Sequence, residues 1–250
     1  MNSSFLLRKI SHIYQYGYWC WNMEYSGLGS EEIAYSFTRE YRFLCQKDSY
    51  SPEWEEILST LPKKLESEGR ILQKHPYSRT TYLLTIGGKP YVVKASHKKP
   101  KLYCLLFPSR YSRIAWNNAK LSRKLGLPAF TPTALVEFGQ GLQVTSYLIY
   151  PFLGTTLVER PSSEEWLYKL QETIDKQKEL HLIHPDFRPT NVVLLEDGSI
   201  QYIDIDEMHR YSAYSYLFLA RLKKEIKRFE TLMQEKETDF SIDAERLLSL

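Results

Sequence analysis

The tightest constraint on what this chain can fold into is the pair Gly87-Gly88. It stands between two runs rich in β-branched and aromatic residues, Thr80-Thr-Tyr-Leu-Leu-Thr-Ile86 and Pro90-Tyr-Val-Val-Lys-Ala95. Paired glycines accept the positive φ angles of a two-residue hairpin turn, so these runs are predicted to be adjacent antiparallel strands. Another short run, Arg70-Ile-Leu-Gln-Lys74, precedes them. A helix is predicted from Ser109 to Leu125, closed by Gly126, and two more strands over Thr131–Glu137 and Leu142–Tyr150. The middle of the chain thus reads strand, strand, strand, helix, strand, strand.

The flanks differ. Residues 1 to about 66 mix Tyr14, Tyr16, Tyr18, Trp19, Trp21 and Tyr25 with short polar breaks, then give a helical stretch over Ser51–Thr60. Pro52 suits its first turn, and the acidic residues behind it suit the positive end of the helix dipole. This segment carries no evident chemistry and reads as an extension packed on the strand-rich middle of the chain. Beyond residue 150, Ser162-Ser-Glu-Glu165 has the pattern of a capping box, opening a helix to about Leu180 with Trp166, Leu167, Leu170 and Ile174 at helical spacing. Val192–Leu195 and Ile200–Ile203 flank an Asp197-Gly198 turn, and a last helix runs from about Ala213 to Met233. The expected class is α+β: an extension over 1–66, a small antiparallel-sheet lobe over 67–150, and a reduced, mainly helical lobe over 151–250.

Composition excludes several alternatives. With 43% apolar residues and 19 Tyr, the chain is too hydrophobic to be disordered. Cys20, Cys45 and Cys104 are odd in number and widely spaced, which supports neither a disulfide framework nor a zinc site and leaves a reducing cytosol as the expected compartment. No window reaches the ~20 apolar residues of a membrane-spanning helix, and the first ten residues lack the order of a signal peptide. Membrane contact is therefore expected to be peripheral, at the inner face.

The chemistry lies in His184-Pro-Asp-Phe-Arg-Pro-Thr-Asn191, followed by Tyr202-Ile-Asp-Ile-Asp206. An Asp, an Asn five residues later and another Asp eighteen residues after the first, placed between a helix and a hairpin, match the phosphoryl-transfer loop of eukaryotic-like kinases. Asp186 would accept or orient the proton of an attacking hydroxyl. Asn191 and Asp204 would offer hard oxygen ligands to Mg2+ on the phosphates of ATP. Arg188 would neutralise charge on the transferred group. Upstream, Lys94 would hold nucleotide phosphates, and the backbone of Phe152 or Leu153 would meet the adenine, because Pro151 has no N–H to donate.

Together these residues resemble the lipopolysaccharide kinase family, sugar kinases of protein-kinase-like bilobal fold that phosphorylate heptose or Kdo in the inner core. The similar elements are Tyr91-Val-Val-Lys94, Ser112-Arg-Ile-Ala-Trp-Asn-Asn118, Gly126-Leu-Pro, Thr131-Pro, Leu180-His181, the 184–191 loop, Ile203-Asp-Ile-Asp206 and Leu219-Ala-Arg-Leu222. The resemblance covers about the last 180 residues and implies ATP and Mg2+ as cofactors, with Asp186 as catalytic base.

The chain departs from that pattern in three places. No glycine occurs between Gly69 and Gly87, so the phosphate-covering loop would be His75–Thr80, with backbone amides and the side chains of Ser78, Arg79 and Thr80 in place of a glycine-rich turn. No Asp or Glu lies between Lys94 and Glu137, which leaves Lys94 without the usual helix carboxylate; Asn117 or Asn118 would orient it instead. The last metal-binding motif reads Asp204-Ile-Asp206, without a glycine.

The formal charge of +3 conceals an uneven distribution: residues 94–124 carry +9 and residues 125–250 carry −7. A basic run beside a nucleotide site suits a lipid-linked anionic glycan acceptor or the anionic membrane surface that bears it. No nucleic-acid-binding motif is present. Only 46 residues follow Asp204, little for docking a peptide, so a glycan or small-molecule hydroxyl is the expected acceptor. A kinase for a small molecule or protein, or a pseudokinase that binds without catalysis, is the alternative.

Overall fold

The computed structural model describes residues 33–38, 41–75, 79–96, 110–139, 144–153, 164–205, 208–211 and 216–235. The chain divides into two compact units, Met1–Arg113 with Pro132–Pro151, and Ile114–Thr131 with Phe152–Leu250.

The first unit is built on a seven-stranded sheet: β1 (Ile33–Phe37), β2 (Tyr41–Gln46), β3 (Arg70–His75), β4 (Arg79–Ile86), β5 (Lys89–Ser96), β6 (Ala134–Phe138) and β7 (Thr145–Pro151). Their order is β1-β2-β6-β7-β5-β4-β3, and every neighbouring pair is antiparallel. Gly87 (φ 56°) and Gly88 (φ 76°) form the two-residue turn between Ile86 and Lys89, the conformation that L side chains resist.

Helix α1 (Pro52–Glu68) is capped by Ser51, whose Oγ accepts from the Trp54 N–H at 3.2 Å. Its Leu58, Leu61 and Leu65 share one face and pack against Phe43, Leu84, Val93, Val136 and Ile149 on one side of the sheet. Each buried leucine contributes about 2 kcal/mol. The sheet unit thus reaches back through residues 33–68, past the boundary that the sequence sets at residue 66. Phe43 and Cys45 alternate into this core, and β2 pairs with β6, so the segment is part of the fold instead of an extension laid over it.

Helix α2 (Arg110–Lys124) ends where Gly126 takes φ 82°. In the second unit stand α3 (Glu164–Glu179), α4 (Tyr216–Gln234), the ribbon β9 (Val192–Leu194) with β10 (Ile200–Tyr202), and the pair β8 (Leu182–Ile183) with β11 (His209–Arg210). Trp166, Leu170 and Ile174 of α3 and Phe218, Leu222, Ile226, Phe229 and Met233 of α4 bury their stripes in one core with Ile183, Val192, Tyr202 and Ile205. The Ser162-Ser163 cap lies outside the described residues. No described helix is long and apolar enough to cross a membrane.

Candidate active site

The 184–191 loop is held at both ends. His181 takes φ 54°, turning the chain out of α3 into β8, which delivers His184 to the interior. Nδ1 of His184 accepts from the Asp186 N–H at 3.3 Å, so Nε2 carries the proton and donates to Ile203 O at 2.9 Å. The His184 N–H donates to Gln177 Oε1 at 3.3 Å, and Gln177 Nε2 donates to the Tyr202 hydroxyl at 3.1 Å. Complete burial pushes the Tyr202 phenol far up, so it remains a neutral partner in this network. Phe187 stacks on Phe229 with ring centroids 4.6 Å apart and meets Tyr202 edge-on.

The five-residue spacing from Asp186 to Asn191 follows from a single 3-10 turn, Pro189–Asn191, in which the Asn191 N–H donates to Arg188 O at 2.8 Å. That turn brings Asn191 back onto Asp186: Nδ2 donates to Asp186 O at 2.9 Å and to Asp186 Oδ2 at 3.2 Å. Both contacts are made through the amide nitrogen, so neither uses Asn191 Oδ1. Ile203 N–H donates to Asn191 O at 3.0 Å, which ties the loop to the residue before Asp204. Asp204 adopts φ 59°, a left-handed conformation uncommon outside glycine, Asn and Asp. Asn191 Oδ1 and the Asp204 carboxylate are hard oxygen donors of the kind Mg2+ takes, so the residues present fit the implied ion. Among the described residues no three His, Cys, Asp or Glu side chains come together as a metal cluster.

Two arginines converge on Asp186 Oδ1. Arg188 pairs with it through Nε, two residues along the chain, and Arg228 of α4 reaches it through Nη1 at 3.3 Å. Arg188 is one of the residues that the sequence singles out, there for the phosphoryl group and not for Asp186. Arg228 is the residue that sequence reasoning misses, for it sits among Lys223, Lys224 and Lys227 on a helix forty residues away, and nothing local sets it apart. Its only signal is helical spacing: Arg221, Glu225 and Arg228 fall on one face, and Glu225 is buried.

The remaining predicted residues belong mostly to the sheet unit. Lys94 sits in β5 opposite Thr81 and Leu148, on the face away from α1, with Nζ 5.5 Å from the Tyr150 ring centroid. Arg79 and Thr80 lie inside β4, where the sequence expects a phosphate-covering loop; Thr80 pairs with Ala95 and is buried in the sheet. Its side chain is therefore taken up by packing, while Arg79 remains half-buried at the strand end. Ser78 and Asp206 lie outside the described residues. Phe152, 44% exposed, and the half-buried Leu153 come directly after β7. Asn118 Nδ2 donates to Ile205 O at 3.5 Å.

A buried carboxylate does occur on the Lys94 face. Glu137, 1% exposed, accepts from Arg42 Nε at 2.6 Å. Strand register aligns Arg42, Glu137, Ser146, Ser96 and Arg79 in one polar row across the sheet, and Ser112 of α2 joins it through a 2.6 Å hydroxyl contact with Ser146.

No family model matches the chain, and neither does any curated protein. Among solved structures, the chain is similar to one described as the ROP18 kinase domain in complex with AMP-PNP and sucrose. Identity is 15% and the TM-score 0.42, over 64% of this chain and 62% of that one. The chain therefore spans less than two thirds of that kinase domain's length.

Proposed function

We propose that this chain is an ATP-dependent kinase that phosphorylates a sugar hydroxyl, heptose or Kdo, of the lipopolysaccharide core. The observation that carries the phosphotransferase reading is the Asp186–Asn191 pairing beside Asp204. A carboxylate whose orientation is fixed by an amide nitrogen, with that amide's oxygen not used in the contact, separates proton acceptance from cation binding within one short loop. In this reading Asp186 takes the proton of the acceptor hydroxyl, and Arg188 balances charge that develops on the transferred phosphoryl group. Lys94 and Arg79 bind nucleotide phosphates, and the backbone of Phe152 or Leu153 meets the adenine. Bound Mg2+, held by Asn191 and Asp204, would neutralise phosphate charge.

The acceptor is argued from charge and from the family resemblance. The +9 of residues 94–124 suits an anionic glycan at an anionic membrane surface and predicts salt-sensitive peripheral association with anionic vesicles.

The test is transfer itself. Purified protein with MgATP and an inner-core glycan fragment carrying Kdo and heptose is expected to add the mass of one phosphoryl group to the glycan, and Asp186→Asn to abolish the gain without lowering Tm. Full transfer by Asp186→Asn would show the mechanism to be wrong. Phosphate gain on a protein or a free small molecule in place of the glycan would replace the acceptor, and nucleotide binding with no phosphate gain anywhere would make the chain a pseudokinase.

A further inference from the structure

We infer that Arg228 is a positioning residue, anchored by Glu225, which fixes the Asp186 carboxylate from behind the catalytic loop. This role rests on Asp186 being the base, and it adds a residue that the loop motif does not contain. Helix α4 backs the loop directly: it packs on the Pro189–Asn191 turn, and Phe229 stacks on Phe187 at 4.6 Å. That apolar stack brings the neighbouring Arg228 to the loop, where Nη1 stands 3.3 Å from Asp186 Oδ1.

Glu225, one turn before Arg228, explains why an arginine holds this geometry. Its side chain is 3% exposed, with Oε1 paired to Arg221 Nη2 at 2.9 Å and Oε2 without a hydrogen-bond partner. Arg228 Nη1 lies 3.8 Å from that oxygen, so one guanidinium nitrogen stands between two carboxylates, 3.3 Å from Asp186 and 3.8 Å from Glu225. A buried carboxylate oxygen lacking a bond attracts the nearest cation strongly. Glu225 thereby restrains a side chain that would otherwise sweep through several rotamers, and Arg228 passes that restraint to Asp186.

The contacts on Asp186 are divided between its two oxygens. Arg188 and Arg228 occupy Oδ1 while Asn191 holds Oδ2. Arg188 comes from the loop itself and would move with it, whereas Arg228 comes from a helix buried in the core. Of the three described side chains that hold the carboxylate, Arg228 is the one that refers it to a helix of the core. A misplacement of about 1 Å at a reacting group can cost ~100-fold in rate.

Arg228→Ala, assayed with MgATP and the inner-core glycan fragment, is expected to lower kcat by about 100-fold with KM for ATP unchanged. Arg228→Lys, which keeps a charge of different reach, should recover part of that rate, and Glu225→Gln should fall between wild type and Arg228→Ala. Tm of Arg228→Ala should fall only modestly, since the side chain is 40% exposed and Glu225 keeps Arg221. Should Arg228→Ala fail to fold, Arg228→Gln replaces it in the same assay. The proposal is overturned if Arg228→Ala retains kcat within threefold of wild type, or if its loss appears as raised KM and lowered Tm that Arg228→Lys does not relieve. A wild-type chain that phosphorylates no acceptor overturns the reading of Asp186 and this inference together; an active wild type with a fully active Arg228→Ala overturns this inference alone.

Discussion

His184 shows how much of the loop depends on one ring. Its two nitrogens serve opposite roles, Nδ1 accepting from Asp186 N–H and Nε2 donating to Ile203 O, so the residue joins the base to the strand end that carries Asp204. Packing and hydrogen bonding are separable here, because the ring also meets Tyr202 edge-on at 5.9 Å. His184→Phe keeps an aromatic ring of similar shape and takes the partner from a half-buried N–H and a half-buried carbonyl, each at about 1–2 kcal/mol. The expected result is a loss of about 2–4 kcal/mol in urea unfolding together with a fall in kcat; unchanged unfolding would mean that backbone or water takes over both bonds. The placing of Asp186 and Asn191 together in one short loop was legible in the sequence because a 3-10 turn closes over so few residues that spacing alone nearly fixes the geometry. Arg228 was not legible, since its pairing depends on where α4 docks, and docking is set by Phe229 and its apolar neighbours instead of by charge.

At the level of elements, local signals are the ones that sequence carries well. The hairpin β4–β5 follows from the φ preference of two glycines, and α1 from its serine cap and Pro52. The place of β2 depends on Phe43 lying opposite Val136, some ninety residues on, and no local pattern encodes that distance. The same pairing creates the ion pair Arg42–Glu137, which the sequence offers only as two strand-end charges. Removing the cation alone leaves a buried carboxylate: Arg42→Met is expected to destabilise the chain by about 2–3 kcal/mol, below the 3–5 typical of fully buried pairs because Arg42 keeps 30% exposure. The double replacement Arg42→Met with Glu137→Met should recover most of that loss, as apolar substitutes for buried ion pairs often do. Chemical denaturation of the two variants checks this, and equal instability of both would mean that the polar row through Ser146 and Ser112 needs Glu137 for itself.

For the whole molecule, the two units are interleaved along the chain: Ile114–Thr131 belongs to the helical unit and the next twenty residues return to the sheet. The sequence reading places the strands after residue 131 in the sheet lobe, and the pairing of β6 with β2 and β7 holds them there; what its contiguous segments miss is that Ile114–Thr131 groups with the helical unit. Both units share an alkaline weakness. Burial pushes the Cys45 thiol from 9.0 to about 12 and the Tyr147 phenol from 10.0 to about 12, both in the sheet unit, and raises the Tyr202 phenol of the helical unit further still. Each group is neutral when protonated, so the unfolded chain begins to release these protons at pH 9 to 10 while the folded chain keeps them until about pH 12. Across that window the unfolded state binds fewer protons, and stability falls as pH rises, by up to about 1.4 kcal/mol per pH unit for each group titrating only in the unfolded chain. The contribution is fully present below pH 9 and is exhausted as the folded groups themselves ionise. Tm measured from neutral pH upward is therefore expected to hold steady to about pH 9 and then drop continuously, with the tyrosinate absorbance of Tyr147, read as the difference between wild type and Tyr147→Phe, appearing only on unfolding. Tyr147→Phe removes one of these groups and should make the drop shallower. A Tm that stays level through the window, or tyrosinate absorbance from Tyr147 in the folded chain near pH 10, would mean that water reaches these side chains in the native state.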